Sequence, residues 1–166
     1  MDKNSIVYTS RAVVPADDAF LLRLYATAHT DLDSIDLPPG QKDLILRMQF
    51  EAQHRQYAFA YPTAEHQLIL INDEPVGRTL IDRSGAEYRL IDIALLPNAR
   101  GHGLGTQLIQ QLLIDARASN ATVGLQVRKN NPALHLYQRL GFSVCQDNGM
   151  DLQMQWTAVE PKEERR

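Results

Sequence analysis

Apolar positions along this chain switch period, and each switch marks a change of element. Residues 5–13 (Ser-Ile-Val-Tyr-Thr-Ser-Arg-Ala-Val) are β-branched and aromatic, which predicts a strand. Pro15 followed by Asp17 and Asp18 is helix-start chemistry, and Leu21, Leu24, Tyr25 and Ala28 then recur at helical spacing. Thr30–Gly40 reads as an acidic loop, after which residues 41–59 form a second helix with Leu44, Met48 and Ala52 on one face, ended at Tyr61-Pro62. The period then shortens: Gln67–Asn72, Val76–Asp82 and Tyr88–Leu96 are apolar runs separated by short polar turns, the pattern of an antiparallel meander. Beyond Pro97 a glycine-rich loop leads into a helix over 105–118, whose stripe is Leu108, Ile109, Leu112, Leu113 and Ala116. Thr122–Val127 is a further strand. A helix over 132–140 opens at Pro132 and stops at Gly141, and Phe142–Gln146 and Met150–Trp156 make a closing hairpin.

The sum is a mixed α/β chain, with strands and helices both early and late and no repeat or linker. A length of 166 residues, 44% hydrophobic and 22% charged, fits one globular domain over residues 1–157, followed by a charged tail over 158–166 that is expected to be flexible. No run approaches the ~18–20 apolar residues of a spanning helix, and the opening Met1–Ser5 lacks the apolar core of a signal peptide, so the expectation is a cytoplasmic protein without a membrane role. The single Cys145 can form neither an internal disulfide nor a thiolate metal cluster; it reads as a small buried hydrophobe.

The net charge of −3 is uneven. Residues 97–141 hold Arg100, Arg117, Arg128, Lys129 and Arg139 against Asp115 alone, a local charge of +4 that leaves −7 on the remainder. An anionic ligand on the basic segment is one reading; a chance spread of surface charge is the other. The absence of a basic run argues against nucleic acid.

Within that basic segment, Arg100-Gly101-His102-Gly103-Leu104-Gly105 lies directly after an apolar strand and before an amphipathic helix. A helix start offers unpaired N–H groups and partial positive charge, and glycines let the backbone close around phosphate oxygens. The dinucleotide pattern would need glycine at Thr106, and the Walker loop would need a Gly-Lys-Ser/Thr that is absent, so neither nucleotide class fits. The segment does match R/Q-x-x-G-x-G/A through Arg100, Gly103 and Gly105. Downstream, Asn130-Asn131-Pro132-Ala133-Leu134-His135-Leu136-Tyr137-Gln138-Arg139-Leu140-Gly141-Phe142 matches Asn-Pro-Ala-x-x-Leu-Tyr-x-x-Leu-Gly-Phe. With both motifs the chain resembles the GNAT superfamily of N-acetyltransferases, well over about residues 67–145 and by order of elements before them.

The resemblance implies a GNAT fold: a twisted mixed sheet of about seven strands, largely antiparallel with a central, splayed parallel pair, flanked by about four helices. It also implies direct acetyl transfer from acetyl-CoA to a primary amine of a small molecule or a protein. The backbone of Ile93, Ala94 and Leu95 would pair with the pantetheine arm, Arg100, Gly101, His102, Gly103, Leu104, Gly105 and Thr106 would cradle the pyrophosphate, and Asn130 or Asn131 would touch the pantetheine. Tyr137 would be the acid that protonates the leaving thiolate, unless it is a core-edge aromatic, and the N–H of Leu95 would stabilise the oxyanion. Many members place a glutamate on the strand before the glycine loop or on the next strand; this chain has Asp92 on the first and Gln126, which cannot act as a base, on the second. Asp92, in an apolar run, is either paired structurally or functional, and Glu87 is a second candidate base.

The five histidines, at 29, 54, 66, 102 and 135, show no metal-ligand spacing, so no metal is implied; His102 could bond a phosphate oxygen or face solvent. The acceptor side should come from the first two helices, with Asp31, Asp33 and Asp36 attracting a cationic amine and Tyr57, Phe59 and Tyr61 forming a wall. Two rivals stay open: a non-catalytic acyl-CoA-binding partner module, and a transferase that uses another acyl-CoA. A homodimer fits the resemblance without any residue demanding it.

Overall fold

The computed structural model describes residues 5–158; the tail expected over 158–166 lies, apart from its first residue, outside them. Seven strands form a sheet in the order β1-β2-β3-β4-β5-β7-β6. β1 (Thr9–Ala12) is shorter than the apolar run predicts and exposed throughout, because it is the sheet's edge. α1 (Asp18–Ala28) follows a single 3-10 turn at Pro15–Asp17, and the acidic loop contains another at Asp31–Ser34. α2 (Pro39–Ala60) buries Phe50, whereas Leu44 and Met48 are 60% and 61% exposed. The expected face of α2 is therefore corrected: the residues that meet the sheet side, Phe50, Gln53 and Tyr57, mix aromatic and amide side chains, so apolar spacing picks out the wrong stripe.

β2 (Glu65–Ile71), β3 (Glu74–Asp82) and β4 (Glu87–Leu95) form the antiparallel meander. The β2–β3 turn is built by Asn72 and Asp73, both in the left-handed region at φ 50° and 63°, which matches the strand twist that such hairpins need. β4 pairs with β3 through a bulge: Ile81 opposes Leu90 and Leu80 opposes Asp92, leaving Ile91 as the extra residue. Before the bulge Leu90 faces the α3 side of the sheet. After it Ile93 and Leu95 do, and Asp92 is turned to the opposite face.

α3 (Leu104–Ala118) presents Leu104, Leu108, Ile109, Leu112, Leu113 and Ala116 to the sheet, the stripe the sequence predicts. β5 (Thr122–Arg128) runs parallel to β4, α4 (Ala133–Arg139) packs over it, and β6 (Ser143–Asp147) and β7 (Asp151–Trp156) close the sheet. Val123, Leu125, Val127, Leu152, Met154 and Trp156 meet α3 and α4 on one face, while Leu68 and Leu70 meet Leu21 and Phe50 of α1 and α2 on the other. Each such buried side chain contributes about 1.5–3 kcal/mol of transfer free energy. β6 is a fully exposed edge strand, and this corrects the reading of Cys145 as buried: its thiol is exposed and lies 3.4 Å from the Gln153 carbonyl.

Candidate active site

The parallel pairing of β4 and β5 stops early. It joins Glu87–Leu90 to Thr122–Leu125, and beyond that rung Ile91–Leu95 has no β5 partner. The two strands splay, leaving backbone groups of β4 unpaired inside the sheet. Leu96 N–H donates to the Val76 carbonyl of β3 at 2.8 Å, so by strand alternation the N–H groups of Leu95 and Ile93 point away from β3, into the splay. β3 keeps close to this strand through Gly77, where a Cβ would stand 2.4 Å from the Ala94 carbonyl oxygen.

At one mouth of the splay lies the glycine loop. Gly101 and Gly103 adopt φ of 79° and 87°, and nothing lies within 4 Å of where their Cβ atoms would be, so the loop is an open cradle. Gly103 caps α3, leaving the N–H groups of Leu104, Gly105 and Thr106 free of intrahelical partners; the first closing bond is Gln107 N–H to the Gly103 carbonyl, 3.0 Å. Leu104 is buried, so only its backbone can serve a ligand there. His102 is exposed, and Arg100, also exposed, donates from Nε to the Leu95 carbonyl at 2.9 Å, tying the loop to the end of β4. Asn131 is engaged at the start of α4, its Oδ1 accepting from Ala133 N–H at 2.9 Å; Asn130 is exposed and beside it.

Tyr137, on α4, has a buried ring packed edge-on against Phe142 at 5.7 Å. Among the described residues its hydroxyl takes no protein hydrogen bond, yet it is not sealed from solvent. Burial, with the negative charge of Asp92 adding to it, pushes this phenol up to about 12, so it stays protonated at neutral pH. Asp92 itself is ion-paired: Arg78, 7% exposed, donates from Nε to its Oδ2 at 2.9 Å and also from Nη2, which reaches Gln53 Oε1 at 3.2 Å as well. Of the two alternatives for Asp92, the paired state is what the structure contains. Glu87 lies at the far end of β4, before the splay, within 3.7 Å of Arg89. Arg78 was not singled out in the sequence; the available signal was a lone arginine amid the apolar run of β3.

On the α1/α2 face a cleft of about 680 Å³ opens beside the splay. α1 and α2 supply Tyr25, Gln49, Gln53, Gln56 and Tyr57, Tyr61 follows, and the sheet supplies Arg89, Ile91, Gln126, Arg128 and Asp151. Tyr57 and Tyr61 thus line the cleft as expected, but Phe59 is 91% exposed and Asp31, Asp33 and Asp36 lie outside it. On the other side of α2, His66 lines a separate cavity of about 640 Å³; its Nε2 is buried without a partner among the described residues, and burial together with Arg78 lowers its pKa to about 4.

A strand splay facing a glycine-capped helix defines an acyl-CoA-type transferase scaffold. The chain belongs to the acetyltransferase (GNAT) family, whose model matches residues 26–142. It is similar to the [ribosomal protein bS18]-alanine N-acetyltransferase of Haemophilus influenzae, 30% identical over 76 residues, a match spanning 45% of this chain and 52% of that relative. Among solved structures it resembles the PaiA N-acetyltransferase of Thermoplasma acidophilum in complex with coenzyme A (TM-score 0.69, 12% identity, 92% of this chain and 100% of that one). It likewise resembles the ribosomal-protein-S18-alanine N-acetyltransferase of Escherichia coli (TM-score 0.62, 17% identity, 95% and 98%). The seven-stranded mixed sheet with its parallel β4–β5 pair is the GNAT fold that the two motifs imply.

Proposed function

We propose that the protein is an N-acetyltransferase that moves the acetyl group of acetyl-CoA directly to a primary amine held in the 680 Å³ cleft. The observation that carries this reading is the splay itself: unpaired N–H groups of Ile93 and Leu95 on one side and the open glycine cradle at its mouth. The backbone of Ile93, Ala94 and Leu95 would align the pantetheine arm as a strand would. Arg100 through Thr106 would hold the pyrophosphate, and Asn130, whose neighbour Asn131 is spent on α4, would meet the arm.

In the transfer, the amine nitrogen forms its bond to the thioester carbon while the carbon–sulfur bond breaks. The Leu95 N–H stabilises the oxyanion that develops on the carbonyl. Tyr137, kept protonated by burial, gives its proton to the departing sulfur. Asp92, held by Arg78 through Oδ2, has Oδ1 to receive the proton that the attacking amine sheds. Glu87, on the paired stretch of β4 before the splay, is the second candidate for that task.

Calorimetric titration with acetyl-CoA, with NAD as control, tests the ligand class. Saturable binding of acetyl-CoA alone supports the reading, and no binding at millimolar concentration refutes it. Thiol release with amine acceptors then separates a transferase from a silent acyl-CoA-binding module.

A further inference from the structure

The charges facing the acceptor cleft are unbalanced. The α2 wall is neutral, offering only amide, phenol and methyl groups. The sheet wall carries Arg89 and Arg128 against Asp151, the one carboxylate that lines the cleft among the described residues. Asp151 is partly engaged: its Oδ2 accepts from Gln126 Nε2 at 2.9 Å, while its Oδ1 stands 3.9 Å from Arg128 Nε, beyond hydrogen-bond distance. Arg89, 27% exposed, donates from Nη2 to Gln153 Oε1 at 3.1 Å and lies near Glu87 at the cleft's outer end. The guanidinium of Arg128 makes no hydrogen bond among the described residues, and its side chain is 70% exposed.

Arg128 also stands at a telling depth. It lies three residues past the last β4–β5 rung at Leu125, and Asp92 lies two residues past Leu90 on the facing strand. At about 3.3 Å per residue Arg128 sits roughly 10 Å beyond the rung, whereas Asp92, with Ile91 spent on the bulge, sits a single rung beyond it, nearer the closed end of the splay. Arg128 shares its strand face with Gln126, and Asp92 faces the same side of the sheet beneath Gln53, whose Oε1 accepts from the same Arg78 and whose side chain lines the cleft, so the free guanidinium is at the outer part of the cleft and the Arg78-held carboxylate at its inner end.

We infer that the acceptor is an amine that also bears a carboxylate, with Arg128 receiving the carboxylate while the amine lies toward Asp92; this rests on the acetyl-transfer reading above. A simple polyamine is a cation throughout and meets an excess of positive charge in this cleft. An amino acid or short peptide arrives with both signs, and its carboxylate can form a charge-assisted fork with a planar guanidinium. The acidic loop at Asp31, Asp33 and Asp36 does not reverse this balance, since it lies outside the lining.

The test measures thiol release from acetyl-CoA with free amino acids and dipeptides, each beside its carboxamide, and with spermidine. The expected result is a kcat/KM about tenfold higher for acids than for their carboxamides, with spermidine lower still. Arg128→Gln should bring the acids down to the carboxamide level chiefly through KM, with circular dichroism and melting establishing that the variant is folded. Carboxamides or spermidine equal to the acids would overturn the inference, as would the failure of every free acid in protein that binds acetyl-CoA. Failure of acetyl-CoA binding itself would overturn the acetyl-transfer reading, and this one with it.

Discussion

Replacing His66 with phenylalanine probes the electrostatics beneath α2. His66 opposes Leu80 across β2 and β3, on the face that carries Arg78, and its Nε2 is buried without a partner among the described residues. Burial first, then the positive charge of Arg78, lowers its pKa to about 4 from the usual 6.5. A histidine that is neutral when folded and protonated when unfolded stabilises the fold fully above pH 6.5, and that contribution is lost as pH falls toward 4. Each pH unit in that window removes about 1.4 kcal/mol, or about 3 kcal/mol in all. Asp17, held by Arg11 at a pKa of about 2, titrates below the window and leaves it to His66. Urea unfolding followed through the single, buried Trp156 measures this at pH 7, 5.5 and 4.5. With an m-value of about 2 kcal/mol/M, the native midpoint should drop by more than about 1 M across the range. His66→Phe should show a much flatter profile and about 1 kcal/mol more stability at pH 7, because it removes an orphaned nitrogen. Equal losses in the two proteins between pH 6.5 and 4.5 would refute the reasoning.

Tyr137→Phe should lower kcat by about 10²–10⁴ with acetyl-CoA affinity near normal, as steady-state rates and calorimetry will show. Because the phenol lies at about 12, native activity should show no alkaline loss from Tyr137 below pH 10. Arg78→Met should cost about 3–5 kcal/mol in urea unfolding by stranding Asp92, and Arg78→Met with Asp92→Leu should recover most of that. Gly103→Val, which forces a β-branched residue to φ 87° at the cap of α3, should weaken acetyl-CoA binding more than tenfold while the melting temperature falls by a few degrees.

Much of this architecture is legible in the chain. The α3 stripe reads directly because all its apolar positions are also its buried ones, and the glycine loop and the Asn-Pro-Ala-x-x-Leu-Tyr segment name the family before any coordinates do. α2 misleads for the opposite reason: it lies over a polar cleft, so its inward side chains are Gln49, Gln53, Gln56 and Tyr57, and its leftover Leu44 and Met48 face out. Cys145 misleads because an edge strand has no covered face. Asp92 is visible as an anomaly, but its partner Arg78 is 14 residues away across a hairpin, and the bulge that aims both at one face inserts Ile91 without any glycine or proline to announce it.

The early end of the β4–β5 ladder has a mechanical consequence. Four rungs, Glu87–Leu90 against Thr122–Leu125, join what are otherwise two half-sheets: one holding β1 to β4 with α1 and α2, the other holding β5, β7 and β6. What crosses this joint beyond the four rungs is side-chain packing: Ile109, Leu112 and Leu113 of α3 lie in one buried cluster with Ile81 and Leu90 of the first half and Val123 and Leu125 of the second. The helix thus acts as a clasp over the seam, and a cavity cut into its stripe weakens both halves at once, where one cut into β1 or β6 weakens only an edge.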